Sequence, residues 1–464
     1  MSSFSAIFFS NDFAYRKFAC IIMQMFKYFV KFFFLMEKGK EQEKFGFKSV
    51  ISDLKIVLKY RELLILSFAV FVSMIGFGLV MPFLPVYAEK YGATDTYIGW
   101  MMAIFAIVRL VFSPVGGWLS DKIGRKPLIV FGMFLYTVVM FLFGLANSLP
   151  ELFFYRGAQG AASGLVWPVA MAYIGDVVKE KDRGKAMGLY TLTFASGNAI
   201  GPMLGGLIAS NFALATPFYF TSGLALVSGL LLLFGLKESF EGEETSKKTI
   251  TKSRAIKNMI TKPMGYLKSI TPYPVTFLGI SLGSFTVFLG LAVLYPMLPI
   301  YGKNVLGLGL AKIGYIFTII GAVQVVFMFP SGSLGDRIGR KKMIVMGSLI
   351  ASVFIGSIIF AIGFYTLAII IALYTVGRSL ARPSIPALVT SLTSKENRGK
   401  GMGIYTFFQN MAWAAGSFVS GMISDGFGRK SPFIFAFFVG ILGTIIIFYF
   451  VKEPDKLELE KLNE

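Results

Sequence analysis

The 464-residue sequence has a single cysteine, Cys20, and no histidine. One cysteine excludes an intramolecular disulfide and a cysteine-rich metal site, and the missing imidazoles remove the side chain that most often titrates near neutral pH. We therefore expect no bound metal and no cofactor, and any proton transfer would have to use carboxylates, water or a bound molecule. Acidic residues are also scarce, since 25 Asp and Glu stand against 45 Lys and Arg.

Hydrophobic residues dominate the remaining composition. They make up 55% of the chain, aromatic residues make up 16%, and the mean hydropathy is +0.69. A soluble protein could not bury that much apolar surface, so the composition predicts a protein that crosses the membrane many times. The lipid bilayer is therefore an expected partner, and the formal net charge of +20 is not evidence for nucleic-acid binding.

Twelve apolar runs have about the 20-residue length that crosses a bilayer. Most Lys and Arg residues lie in the termini and in alternate loops, and the positive-inside rule then places both termini in the cytoplasm. The sequence thus predicts a multi-pass protein of the cell membrane. The spans are expected at residues 62–88, 98–119, 127–146, 150–175, 185–210, 217–236, 274–301, 311–334, 342–361, 364–390, 400–424 and 432–451.

One polar loop occurs twice. Gly117–Lys126 reads GWLSDKIGRK, and 215 positions later Gly332–Lys341 reads GSLGDRIGRK, each copy lying between two apolar runs. The similarity continues at the same offset, for example from Pro168 to Pro383. A duplication of this length is typical of transporters built from parallel repeats. We therefore predict an all-α fold of twelve transmembrane helices in two pseudo-symmetric six-helix bundles.

The spans and loops divide the chain into five predicted parts. The N-terminal part contains an apolar run whose polar residues fall on one helical stripe, which suits a helix lying in the membrane interface. The parts are a cytoplasmic or interfacial extension at 1–61, a first bundle at 62–236, a cytoplasmic linker at 237–273, a second bundle at 274–451 and a cytoplasmic tail at 452–464.

Charged residues near the middle of the predicted spans are all arginines. An ionisable residue at that depth costs on the order of 3 kcal/mol on insertion scales, so it normally faces a cavity or a partner. Positive groups in a cavity would favour an anionic or strongly polar substrate, although they could instead hydrogen-bond to backbone carbonyls. The candidates for substrate or counter-ion contacts are Arg109, Arg378 and Arg382, and the fourth mid-span arginine is Arg156.

The repeated loop resembles the signature loop of the major facilitator superfamily, and the duplicated layout of residues 62–451 is similar to that family as well. The resemblance implies a charge network of a loop aspartate, a loop arginine and an acid at the end of the fourth span, which holds the outward-facing state. Ser391 stands where the second half would carry that acid, so the network is predicted to be complete only in the first half. The corresponding residues are Asp121, Arg125 and Asp176, and in the second half Asp336 and Arg340.

Two further motifs resemble those of drug–proton antiporters within the family. Arg156, followed by Gln159 and Gly160, is similar to an RxxQG motif implicated in proton transfer, and the resemblance assigns Arg156 to coupling. The stretch GNAIGPMLGG resembles the GxxxGPxxGG antiporter motif, whose glycines let the two halves approach and whose proline bends the helix. Its residues are Gly197, Gly201, Pro202, Gly205 and Gly206.

These resemblances predict a monomeric secondary transporter, not an enzyme, that exports small-molecule drugs in exchange for protons by alternating access. The sequence has no Walker loop or nucleophile elbow that would indicate an ATP-driven pump or a hydrolase. Two alternatives stay open. The mid-span arginines favour an importer or exchanger of an organic anion or other metabolite, and the long N-terminal extension is the feature that favours a non-transporting membrane sensor.

Overall fold

The computed structural model describes residues 60–239, 263–394 and 396–453. Within these ranges all regular structure is helical, which confirms the all-α prediction. The predicted extension at 1–61 lies outside the described residues except for its last two positions. Most of the predicted tail at 452–464 and the middle of the predicted linker at 237–273 also lie outside them.

The described part of the first half contains seven α-helices. The first predicted span is divided in two by a turn beside Pro82, and Pro85 occupies the first turn of the second piece, where its missing N–H costs nothing. The helices are α1 (Arg61–Val80), α2 (Leu84–Glu89), α3 (Asp95–Ile123), α4 (Arg125–Leu145), α5 (Leu149–Val177), α6 (Arg183–Asn211) and α7 (Thr216–Gly235).

The described second half follows the same order of spans, except that its first span is one continuous helix, its fourth span is divided in two, and a short extra helix precedes it. The tenth predicted span is divided at Arg382 and Pro383, as expected because a proline disfavours helical backbone in the residue before it. The helices are α8 (Pro263–Lys268), α9 (Pro274–Asn304), α10 (Leu310–Ile338), α11 (Arg340–Ser357), α12 (Phe364–Ala381), α13 (Ser384–Ser391), α14 (Arg398–Phe427) and α15 (Ser431–Phe450).

Ten helices in the described ranges are long and apolar enough to cross a membrane, which confirms a polytopic membrane protein. The two long helices outside this set are α5 and α14, with 29 and 30 residues. Both are rich in glycine and polar side chains, which lowers their hydropathy. The total of twelve spans therefore stays a prediction.

Helix contacts divide the described helices into two groups with the same internal pattern. In the first group α1 packs against α6 and α7, α3 against α5, and α4 against α5 and α7. In the second group α9 packs against α14 and α15, α10 against α12, and α11 against α12 and α15. Each contact has its counterpart 215 positions away, so the pseudo-symmetry is confirmed, whereas the exact domain boundaries stay predictions.

Two helix pairs make the most extensive contacts between the groups, α3 with α14 and α6 with α10. Both contacts depend on glycine, because a Cβ on Gly314 would lie 2.4 Å from the carbonyl oxygen of Pro202 and a Cβ on Gly99 would lie 2.4 Å from that of Ser417. We call the end of the molecule that carries Gly117–Lys126 and Gly332–Lys341 the loop end, and the opposite end the far end.

Candidate functional site

The three residues of the predicted charge network meet at the loop end. Arg125 pairs through Nη1 with Asp121 at 2.6 Å and through Nε with Asp176 at 3.1 Å. Its Nη1 also donates to the hydroxyl of Ser120 at 2.5 Å. The side chain of Arg125 is 12% exposed, so the carboxylates hold a mostly buried guanidinium. The structure thus brings these residues together, and their role as a gate stays a prediction.

A glutamate that the sequence analysis did not select completes this loop. The carboxylate of Glu238 accepts hydrogen bonds from the backbone N–H groups of Arg125 at 2.9 Å and Lys126 at 3.2 Å. It therefore caps the N-terminus of α4, where the helix dipole favours an anion. The chain can turn sharply before α4 because Gly124 has a φ of +100°, a conformation that side chains disfavour.

The same cap recurs in the second half. Glu453 accepts from the backbone N–H groups of Arg340 at 2.9 Å and Lys341 at 3.1 Å. Glu238 and Glu453 are 215 positions apart, each following a lysine, so the duplication itself carried a sequence signal for this pair.

The second-half network is described only in part, because the side chain of Asp336 lies outside the described residues. Arg340 donates from Nη1 to the carbonyl oxygen of Ala387 at 3.0 Å. Ser391, which stands where the first half has Asp176, donates its hydroxyl to the carbonyl oxygen of Leu388 in its own helix at 2.9 Å. Completeness of the network in the first half alone stays a prediction.

The motif glycines of α6 serve two different contacts. A Cβ on Gly197, Gly201 or Gly205 would lie within 2.5 Å of backbone oxygens of α1, in the same half. A Cβ on Gly206 would lie 3.0 Å from the carbonyl oxygen of Leu310 in α10. Residues four apart share one helix face. Of the motif residues, Gly206 and Pro202, four positions apart, therefore contact the other half. The remaining motif glycines bring α6 close to α1 within the first half.

The far end carries an ionic cluster that joins the halves. Glu89 of α2 binds Lys303 at 2.8 Å and Arg429 at 3.3 Å, and it accepts from the side-chain amide of Asn304 at 2.5 Å. Burial alone would raise the pKa of Glu89, but hydrogen bonds from Lys303 and Asn304 and the charges of Lys303 and Arg429 outweigh it and lower the pKa below its ordinary value.

Two aspartates extend this contact from α3 to α14. Asp95 accepts from the hydroxyl of Ser424 at 2.5 Å and lies 3.4 Å from Nε of Arg429. Asp425 accepts from the backbone N–H groups of Asp95 at 3.1 Å and Thr96 at 2.8 Å, so it caps α3 from the opposite half. We call Glu89, Asp95, Lys303, Asp425 and Arg429 the far-end cluster. The sequence analysis did not predict that these five residues form a cluster.

Between the halves lies a central cleft. It is formed by α1, α6, α9 and α10, and it contains no charged side chain among its lining residues. The polar groups that reach it are two amides and one phenol, beside aromatic and thioether surface. The lining residues are Gly78, Met81, Pro82, Ala195, Asn198, Pro202, Tyr295, Phe317, Ile320, Gly321 and Gln324.

Arg156 lies behind this cleft on α5. It is 1% exposed, its guanidinium carbon is 4.4 Å from the ring centre of Phe105, and its Nη2 contacts the sulfur atoms of Met102 at 3.1 Å and Met81 at 3.5 Å. Its Nη1 donates to Gln159. These partners are all neutral, so the buried charge has no carboxylate partner in the described part of the chain.

The other mid-span arginines are placed differently. Arg378 of α12 donates from Nη2 to the side-chain oxygen of Gln324, which lines the central cleft. Arg378 and Arg382 also line a second, small cleft in the second half. Arg109 of α3 lines neither cleft. Of the three predicted substrate contacts, the structure therefore brings two together.

Two equivalent helix groups that meet at one end around a central cleft define a membrane transporter of the duplicated type, and both fold and relatives are those of transporters rather than enzymes. The chain belongs to the Major Facilitator Superfamily, whose family model matches residues 66–322 and 280–464.

Individual relatives cover most of the chain. It is 28% identical over 387 residues to "Multidrug resistance protein 2" of Bacillus subtilis strain 168, spanning 82% of this chain and 92% of that protein. It is 24% identical over 406 residues to "Quinolone resistance protein NorA" of Staphylococcus aureus strain MSSA476, spanning 87% and 99%. A bacterial homologue of the human lysosomal transporter Spinster, solved inward-facing and unoccupied, has the same fold, with a TM-score of 0.72, 15% identity, and coverage of 87% of this chain and 98% of that one.

Proposed function

We propose that the protein exports small molecules across the cell membrane in exchange for protons by alternating access, and that the loop end faces the cytoplasm. One observation carries the mechanism: among the described residues, Glu89, Asp95 and Thr96 of the first half are joined to the second half by hydrogen bonds and ion pairs at the far end. The conformation is then inward-facing, with the central cleft as the route for substrate.

Export, rather than import, is supported by the relatives. The Bacillus subtilis and Staphylococcus aureus relatives are both named for resistance to drugs. A cell becomes resistant to a drug when it exports that drug. The central cleft suits such a substrate, since an uncharged lining with aromatic rings and a few amides binds apolar bodies of varied shape. A monomer suffices for this mechanism because the two halves of one chain already enclose the cleft.

The gate and the coupling group follow from the charge positions. Asp121, Arg125 and Asp176 are the gate candidates, and their ion pairs are present in this far-end-closed structure, whereas the family resemblance associates them with the outward-facing state. Arg156 is the coupling candidate, because a buried guanidinium with only neutral partners makes its surroundings sensitive to any proton or substrate charge that arrives.

A second candidate is exchange or uptake of an organic anion. The observation in its favour is the unpaired positive charge of Arg156 and Arg378 on either side of the central cleft. The two functions differ in the direction of flux, and the same transport assay separates them.

The test uses inside-out membrane vesicles with an acidic lumen and a lumenal pH dye. Adding lipophilic cations, neutral drugs or organic anions to the medium should raise the lumenal pH if export is exchanged for protons. Arg156→Gln should abolish the pH change but leave substrate binding measurable, because it removes the charge and keeps the polar length. The control is Lys312→Gln, which removes an exposed charge at the start of α10.

Two results would contradict the proposal. A lumenal pH that stays constant with every compound would exclude proton exchange. Movement of an organic anion from the lumen to the medium would correspond to uptake by the cell and would indicate the second candidate. An equal response in Arg156→Gln and in the unmodified protein would remove Arg156 from coupling.

A further inference from the structure

The second cleft has an unusual lining for the interior of a helix bundle. It lies between α9 and the junction of α12 with α13. Two of its lining side chains are guanidinium groups, and the others are apolar. They are Val287, Phe288, Leu291, Arg378, Ala381, Arg382 and Ile385.

Neither guanidinium has a carboxylate partner. Arg378 is 8% exposed, its Nη2 is bonded to the neutral side chain of Gln324, and its Nε is buried without a hydrogen-bond partner. The side chain of Arg382 makes no hydrogen bond or ion pair with any residue that the structure describes. The two arginines are one helical turn apart, with the backbone N–H of Arg382 donating to the carbonyl of Arg378 at 3.0 Å.

This arrangement is costly without a counter-ion. A charge removed from water loses its hydration, and two like charges in a low-dielectric environment repel each other. An anion placed between them would recover both losses, because a carboxylate, sulfonate or phosphate accepts two parallel hydrogen bonds from a guanidinium. The apolar remainder of the lining would contact a hydrocarbon or aromatic body.

We propose that Arg378 and Arg382 bind the anionic group of the transported substrate, and that the substrate is therefore an amphipathic organic anion or a zwitterion with such a group. The inference rests on the transport function proposed above. Gln324 connects the two clefts, since it lines the central cleft and accepts from Arg378. The apolar body of the substrate then occupies the central cleft while its acidic group reaches the arginines.

The test compares two ligands that differ only in charge, 1-pyrenebutyrate and its neutral amide. Binding to the purified full-length protein in detergent is followed by pyrene fluorescence. The unmodified protein should bind the carboxylate about tenfold more tightly than the amide or better, as expected for a charge-assisted bidentate contact. This comparison needs no variant, so it remains informative if a substitution harms folding.

Variants then assign the preference to the site. In Arg378→Gln and in Arg382→Gln the Kd of pyrenebutyrate should rise about tenfold, while the Kd of the amide should stay within about twofold, because the apolar lining is unchanged. Arg378→Lys should recover only part of the affinity, since an ammonium group lacks the planar fork. Lys312→Gln is the control for a lost positive charge elsewhere in the same half.

Equal binding of carboxylate and amide by the unmodified protein, or equal loss of both in Arg378→Gln, would overturn the site. Export of neutral or cationic drugs together with that result would leave the proposed function intact. Selective carboxylate binding without transport of any compound would support the anion site and contradict the proposed function. Displacement of pyrenebutyrate by phosphatidylglycerol, with no pyrenebutyrate transport in proteoliposomes, would overturn the substrate assignment in favour of a lipid-headgroup site.

Discussion

Arg429 is the residue whose removal should most directly open the far end. Its guanidinium reaches two carboxylates of the first half, Glu89 at 3.3 Å and Asp95 at 3.4 Å, from a position just beyond α14. Arg429→Ala removes both contacts without altering the glycine packing of α3 on α14. We expect the variant to shift the protein from the far-end-closed conformation toward one in which the far end is open.

The magnitude follows from how exposed each partner is. The ion pairs of Arg429 are partly exposed and contribute about 0.5 kcal/mol each. The side chain of Asp95 is 6% exposed, and leaving a buried carboxylate without its cation costs a further 1–2 kcal/mol or so. A total of about 2 kcal/mol is roughly a thirtyfold change in the ratio of the two conformations. A closed state favoured about 99 to 1 would fall to about 3 to 1.

Spin labels at the far end measure that ratio. With Cys20 replaced by serine, cysteines introduced at Lys90 and Val305 report the separation of the two halves by electron–electron distance measurement. Arg429→Ala should add a population at longer distance, whereas Lys312→Ala, which removes an exposed lysine of the same half, should not. An unchanged distance distribution in Arg429→Ala would show that the far-end cluster does not hold the halves together, and the reasoning would be refuted.

Two further predictions use the same labelled protein. The pKa of Glu89 is lowered in the closed state, so its contribution to the stability of that state is fully present above the ordinary pKa of 4.5 and is lost as pH falls through the lowered pKa. The distances between the labels should therefore stay constant from neutral pH down to that region. Opening of the far end near neutral pH would contradict this role of Glu89. Gly314→Ala places a Cβ 2.4 Å from the carbonyl oxygen of Pro202 and should separate the halves and slow transport. Gly332→Ala, on the same helix with open space around it, should leave the separation of the halves unchanged. Equal separation in the two variants would exclude this packing contact.

The fold was predictable because its evidence is repeated in the chain. Two copies of a polar loop at a fixed offset, set between apolar runs, determine the duplication and the helix order, and the contact pattern of the helices follows the same offset. The network around Arg125 was predictable for a related reason, since a loop that keeps the same order of charges twice is constrained by specific partners. The glutamate cap of α4 obeys the same offset and could have been found from it.

The far-end cluster was not predictable because its partners obey no repeat. Asp95 corresponds to Leu310 and Arg429 corresponds to Leu214 at the 215-residue offset, so neither charge has a counterpart that would mark it. Their pairing also joins residues more than 300 positions apart, and it depends on how two helix groups are oriented. The face of α6 that meets α10 was missed for a geometric reason, because a motif written as letters does not say which glycines lie on which side of the helix.

The mid-span arginines depart from the symmetry of the scaffold. At equivalent positions of the paired helices the first half has Arg109 on α3 and Ser163 on α5, while the second half has Gln324 on α10 and Arg378 on α12. These helix pairs pack closely, as the carbonyl of Arg109 beside Gly164 shows. The arginine has thus changed sides between the halves, and only in the second half does a neutral amide connect it to the central cleft. Rocking of two equivalent bundles requires matching helix contacts, which both halves retain, whereas the acidic group proposed to bind Arg378 and Arg382 requires those two charges in the second half only. Under the proposed anion site, the retained packing positions meet the first requirement, and Arg378 and Arg382 meet the second.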